Sequence, residues 1–200
     1  MKLWPRKKPL DPVDSFWEWF RENQDSFRSM SPPNETVLNA IEDRLARIEP
    51  GLVPEFALEG GRATTFVISA DGVRDRFRAV METVKRAPAL PGWKVVAFRQ
   101  PGDPSLEVEI RGVRLGAADL WFSSEADGQK TGLSLYVRGL TESNRQELMR
   151  LGFILLDNAL GEFLVETAVG FIDWQPLPSD PGPPLRPFPE IQAAVRAVVH

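Results

Sequence analysis

The chain contains no cysteine, which excludes disulfides, thiolate zinc sites and a cysteine nucleophile. Its single histidine is His200, the last residue, where chain order is least expected. Histidine triads, histidine metal sites and histidine acid–base chemistry therefore lack their usual residue. An enzyme built on this chain has carboxylates, hydroxyls, lysine and arginine to work with. Glycine-rich phosphate loops are missing too: V-I-S-A-D-G (67–72) looks like a strand-to-helix turn but has the spacing of neither nucleotide motif. We read Asp71 there as a helix cap, since aspartate is preferred at that position and repels phosphate. The longest apolar run, near Leu151 to Leu156, is far short of a membrane span and is followed by Asp157. The start, M-K-L-W-P-R-K-K-P, is basic but has no apolar h-region, so we expect a cytoplasmic protein. A net charge of -4 gives no basic footprint for nucleic acid. Arginine outnumbers lysine 18 to 6, which points to a GC-rich genome rather than to a function.

What is present is ordinary in bulk and informative in pattern. With 200 residues, 42% hydrophobic and 26% charged, the chain suits one globular domain with a real core. Its organising stretch is Phe153 to Trp174, F-I-L-L-D-N-A-L-G-E-F-L-V-E-T-A-V-G-F-I-D-W. A helix starting near Thr141 or Ser143 feeds it, and Ser143 with Gln146 has the form of a capping box. This helix is apolar almost all round, which predicts burial, and Gly161 ends it. Residues 162–174 then alternate as a strand apolar on both faces, the pattern of a central strand.

Upstream, Asp11-Pro12 opens a helix to about Arg28, with Val13, Phe16, Trp17, Phe20 and Phe27 on one face and Trp19 off it. Ser31-Pro32-Pro33 breaks that helix and Asn34 caps a second, whose inward residues are Leu38, Ile41, Leu45 and Ile48. Strands follow at 52–58 and 63–70 around Gly60-Gly61, a helix from Asp71 to about Arg86, and strands at 93–99, 106–111, 120–124 and 133–138. The expected fold is α+β: one two-layer, mostly antiparallel mixed sheet of about six or seven strands, two crossover helices and an N-terminal helical hairpin. The domain plan is a basic flexible start at 1–10 and a single domain at 11–174, with the hairpin at 11–50 and the sheet at 52–174. A proline-rich tail at 175–200 ends in a short helix. That tail holds seven of the eighteen prolines, reads as extended, and is not expected to be needed by the fold. Thr64–Ile110 and Leu133–Asp173 each contain strand-helix-strand, the outline of a duplicated half, although no sequence identity links them.

Several stretches together resemble an uncharacterised bacterial family of unknown function. They are the F-W-x-W-F helix, V-I-S-A-D-G, A-P-A-L-P-G-W-K-V-V-A-F-R, L-L-D-N-A-L-G-E and V-E-T-x-V-G-x-I-D, within about Phe16 to Trp174. The resemblance implies a bacterial, single-domain protein and no mechanism.

Two groups of residues are candidates for a site. The acidic set Asp157, Glu162, Glu166 and Asp173 has a functional reading, in which Asp157, Glu162 and Glu166 are catalytic carboxylates or hold a divalent cation. Its structural reading is ion pairing with Arg99, Arg138 or Arg150 at the end of the sheet. Trp19, beside Met30, is the candidate interface anchor, and Arg99 and Arg138 are candidate binding residues. The basic start, with Lys2, Arg6, Lys7 and Lys8, reads as a solvated tail. We expect no cofactor and no resident metal. The leading reading is a non-enzymatic protein-interaction domain with a protein partner; the other is a carboxylate-dependent hydrolase or divalent-metal enzyme. Three carboxylates gathered in an open pocket favour the enzyme, and a sheet end plugged by arginines favours the interaction domain.

Overall fold

The computed structural model describes residues 10–28 and 35–198. Lys2, Arg6, Lys7, Lys8, Met30, the Ser31-Pro32-Pro33 break, the Asn34 cap and His200 lie outside the described residues. The chain divides into two compact units, Met1–Phe98 and Arg99–His200. Among the described residues, no helix is long and apolar enough to cross a membrane.

In the first unit, α1 (Pro12–Arg28) and α2 (Glu35–Leu45) precede the hairpin β1 (Val53–Glu59) and β2 (Arg62–Ser69), then α3 (Phe77–Lys85) and β3 (Lys94–Ala97). Asp11 starts α1 as its sequence predicts: Oδ1 accepts the Val13 N–H at 2.9 Å and the Asp14 N–H at 3.3 Å. Arg86 grips the same carboxylate at 2.9 and 3.0 Å and so holds Asp11 below the usual carboxylate range. The predicted stripe of α1 is buried, and Trp17 Nε1 donates to Thr83 O at 2.8 Å, tying α1 to α3. Phe16, Phe20, Ile41, Leu45, Phe66 and Ile68 form the centre of one core. β1 and β2 pair antiparallel, while β3 returns through α3 to lie parallel to β2.

Asp71 does not cap α3. It sits in a turn with Gly72, both at positive φ, and Phe77 begins the helix after a 3-10 turn at Arg74–Arg76. Ser69 Oγ accepts the Asp71 N–H at 2.9 Å, so local turn chemistry takes the aspartate before a helix can use it.

In the second unit, β4 (Glu107–Ile110) and β5 (Val113–Gly116) make a separate two-stranded hairpin. Then come β6 (Leu120–Asp127), β7 (Lys130–Val137), α4 (Arg145–Leu160), α5 (Glu162–Ala168), β8 (Val169–Pro176), β9 (Arg186–Pro187) and α6 (Ile191–Val198). Strand order in the main sheet is β8-β7-β6-β9. β6 and β7 are antiparallel, and β8 is parallel to β7 after the α4–α5 crossover. The path β6-β7-helix-β8 thus repeats the order and sense of β1-β2-helix-β3.

Four expectations are corrected here. The single sheet of six or seven strands is instead three sheets of three, two and four strands. Alternation marks where strands are but not which strands pair, and each pairing here closes within its own unit. The stretch after Gly161 is not one long strand: Glu162–Ala168 is helical and only Val169–Pro176 is extended. E-F-L-V-E-T-A is short enough for its apolar residues to satisfy both periods. β8 is also an edge strand and not a central one. Finally, the tail belongs to the fold: β9 pairs with β6, and Phe188, Ile191, Ala194 and Val195 are buried in the same core as Phe122, Leu133 and Leu155. The prolines on the approach do not prevent residues 188–195 from carrying an apolar face.

α4 begins at Arg145, and the proposed Ser143–Gln146 box does not form. Ser143 Oγ lies 3.0 Å from Thr141 Oγ1, and Asn144 Oδ1 accepts the Thr141 N–H at 2.8 Å. The helix buries Leu148, Leu151, Gly152, Leu155, Leu156, Ala159 and Leu160. It is not buried all round: Phe153 is 43% and Ile154 38% exposed.

Candidate functional site

The candidate residues converge partly on the joint between α4 and α5. Gly161 ends one helix and starts the next at φ 77° and ψ 150°. That backbone is open only to glycine, and a Cβ there would meet Pro101 Cδ at 2.8 Å and Arg99 O at 3.0 Å. Residues 99–103 are stitched along this joint. Gly102 N–H donates to Asn158 O at 2.7 Å, and the Glu162 N–H donates to Arg99 O at 3.0 Å. Glu162 returns the bond, its Oε2 accepting the Arg99 N–H at 3.1 Å. Glu162 is 1% exposed, so its carboxylate is a buried acceptor in a structural seam.

Arg99 and Glu162 are therefore brought together, through the backbone as well as by position. Asp157 sits one turn before Gly161, which it caps by accepting the Gly161 N–H at 2.8 Å through its carbonyl. Glu166 lies one turn after Glu162 on α5, half-buried. Asp157, Glu162 and Glu166 all have interactions within the chain. Among the described residues, no group of three or more Asp, Glu, His or Cys is placed to hold a metal ion. Lys130 Nζ donates to Glu166 O in the last turn of α5 at 3.4 Å and to Val169 O at the start of β8 at 3.2 Å. Asp173 stays apart on β8: Oδ1 accepts the Trp174 N–H at 2.9 Å and Oδ2 accepts from Gln175 Nε2 at 2.7 Å.

Arg138 is not at this joint. It pairs with Asp119 at 3.3 Å, with 63% of its side chain exposed, the kind of contact that contributes little. Arg150 is exposed on α4. Beside the joint lies a cavity of about 290 Å³ lined by Arg99, Gln100, Pro101, Leu160, Phe163, Leu164 and Arg196. Its walls are apolar with two guanidinium groups, a lining suited to a small anion with an apolar body and not to general acid–base work.

In the first unit, Trp19 is half-buried and its ring lies tilted beside that of Phe27 with centroids 5.4 Å apart. The Arg44 guanidinium carbon lies 3.8 Å from its ring centroid, a cation–π contact. Trp19, Phe16, Arg44 and Arg47 line an opening of about 400 Å³. Its off-stripe position was readable; Arg44 was not, because nothing in one helix's sequence shows which ring its polar face will cover.

Sequence reasoning missed one surface altogether. Gln146, Met149, Arg150, Phe153, Ile154 and Asp157 line a shallow depression along one face of α4. The signal was there, since a helix flanked by sheet on one side needs an apolar stripe and this one is apolar nearly all round.

The seam gives a direct test. Glu162→Ala leaves the Arg99 N–H without its acceptor and should cost about 1–3 kcal/mol in a urea melt, while Glu162→Gln, which keeps a carbonyl oxygen, costs less. Equal losses for the two would show that the acceptor is not what Glu162 supplies. No protein-family model, no curated protein and no solved structure matches the chain.

Proposed function

We propose that this protein is a non-enzymatic protein-interaction domain, acting in the bacterial cytoplasm. The observation that carries the interaction reading is the α4 face, where Phe153 and Ile154 stay 43% and 38% exposed on an otherwise core-forming helix. Apolar residues exposed in a continuous run on one element mark a contact surface more often than scattered ones do. Phe153 also rests against Trp174, ring centroids 5.2 Å apart, so it is a pre-positioned anchor of the kind that dominates interfaces. The bacterial setting rests on the motif resemblance, and the cytoplasmic one on apolar runs too short to span a membrane. The hydrolase or metal-enzyme alternative draws less support, because Glu162 spends an oxygen on the Arg99 backbone and the carboxylates form no metal-sized group among the described residues.

A photo-crosslinking phenylalanine analogue placed at position 153 in the producing cell should give a discrete protein adduct on illumination. The same analogue at exposed Glu109, on β4, should give none. Equal labelling from both positions, or none from position 153, would remove the interaction reading. In parallel, Mg²⁺, Ca²⁺ and Mn²⁺ should leave Tm unchanged, since a ligand that binds the native state raises it. A rise abolished by Glu166→Gln would favour the metal-enzyme alternative instead.

A further inference from the structure

The α4 face has an internal order that a general contact surface does not need. Arg150 and Asp157 are seven residues apart on α4, which is about 10.5 Å along the axis and within about 20° of the same direction around it. Midway between them stand the two most exposed apolar residues of the helix, Phe153 and Ile154. The face is therefore a positive charge, an apolar centre and a negative charge at equal spacing.

Resting on the interaction reading above, we propose that the occupant of this face is a second copy of the chain. The two α4 helices pack antiparallel about a twofold axis passing between Phe153 and Ile154. That axis brings Arg150 level with the partner's Asp157 and, by symmetry, Asp157 level with the partner's Arg150. Both pairs fall on the same side of the contact, because a twofold axis normal to the plane of the two helices keeps flanking residues on their own side. Phe153 and Ile154 lie about 100° apart around α4, on opposite flanks of the contact, so each meets its own copy across the axis, and Gln146 and Met149 extend the contact toward the helix start. A parallel arrangement would set Arg150 against Arg150 and Asp157 against Asp157, which like-charge repulsion disfavours. An isologous contact requires a patch that is complementary to itself, and this one is. A foreign partner imposes no such symmetry. Asp157 is also engaged within its own chain, and a carboxylate accepts several donors at once.

Sedimentation across a concentration series tests this with the full chain. The wild-type protein should show a reversible monomer–dimer equilibrium. Arg150→Glu alone and Asp157→Arg alone each replace two attractive pairs with two repulsive ones, and should raise the dimer Kd about tenfold or more. Mixing the two variants should restore dimer as a heterodimer, because every cross-pair is again opposite in sign. Ile154→Arg, at a side chain outside the core, should abolish the dimer while leaving Tm unchanged at concentrations below the wild-type dimer Kd, and serves if Asp157→Arg does not fold. A wild-type chain that stays monomeric overturns the proposal, as does a dimer indifferent to Ile154→Arg or folded variants that fail to complement. A monomer that still crosslinks to another protein from position 153 would overturn the self-association and leave the interaction reading standing.

Discussion

A chain ending at Trp174 should lose the cooperative unfolding of its second unit. The deletion removes Phe188, Ile191 and Val195, all fully buried, and Ala194 beside them. Burying each large side chain contributes about 1.5–3 kcal/mol, so the three together match much of the stability of a unit this size. β9 is lost with them, and the outer edge of β6 is left without the strand that pairs with it there among the described residues. Near-ultraviolet circular dichroism is the suitable probe, since Trp121 and Trp174 both report from this unit. A melt of the shortened chain that overlays the full-length one would show that α6 is ornamental, as its proline-rich approach alone suggests.

Phe20→Ala should destabilise the first unit by about 3–5 kcal/mol, the usual loss for an aromatic ring deleted from a packed core. Phe20 is wholly buried. Its ring lies 4.7 Å from Phe66, 5.1 Å from Phe27, 5.5 Å from Trp93 and 5.6 Å from Trp17, most of them edge-on. Such pairs add to the area term. Denaturant unfolding followed by tryptophan fluorescence reads the change. A loss below about 1 kcal/mol, the scatter of surface substitutions, would mean that the ring cluster collapses around the gap.

The first unit was largely legible in the sequence, and the reasons are local. Asp11-Pro12 announces a helix start that the Asp11 carboxylate carries out, and the spacing of Val13, Phe16, Trp17 and Phe20 names the buried face. Gly60-Gly61 locates a hairpin that the structure forms, with Glu59 opposite Arg62 and a register shift between Leu58 and Ala57. Failures came where one residue had two local options. Ser69 diverted Asp71 into a turn, and Glu162–Ala168 had an apolar pattern that helix and strand share. Val113–Gly116 escaped notice because Arg111-Gly112 is a poor-looking turn: Arg111 adopts positive φ there, which arginine rarely does. The separation into three sheets and the role of α6 depend on pairings between distant segments, which no window on the sequence contains. Of the candidate residues, Arg99 and Glu162 do meet. Their contact runs through a backbone N–H, a donor that composition and charge patterns never display.

The distance along the chain from β6 to β9 and α6 sets a timetable for folding during synthesis. The first unit is one unbroken segment, so it can reach its final core as soon as β3 has left the ribosome. The second cannot. β6 waits for an edge partner made some sixty residues later, and the core around Leu133 and Leu155 stays open until Ile191 and Val195 arrive. Domains fold as units while exposed apolar surface is at risk. For this unit that interval runs from the synthesis of β6 to that of α6. Chaperone dependence should therefore concentrate on the C-terminal half, and rare-codon pauses after Trp174 should be more harmful than pauses before Phe98.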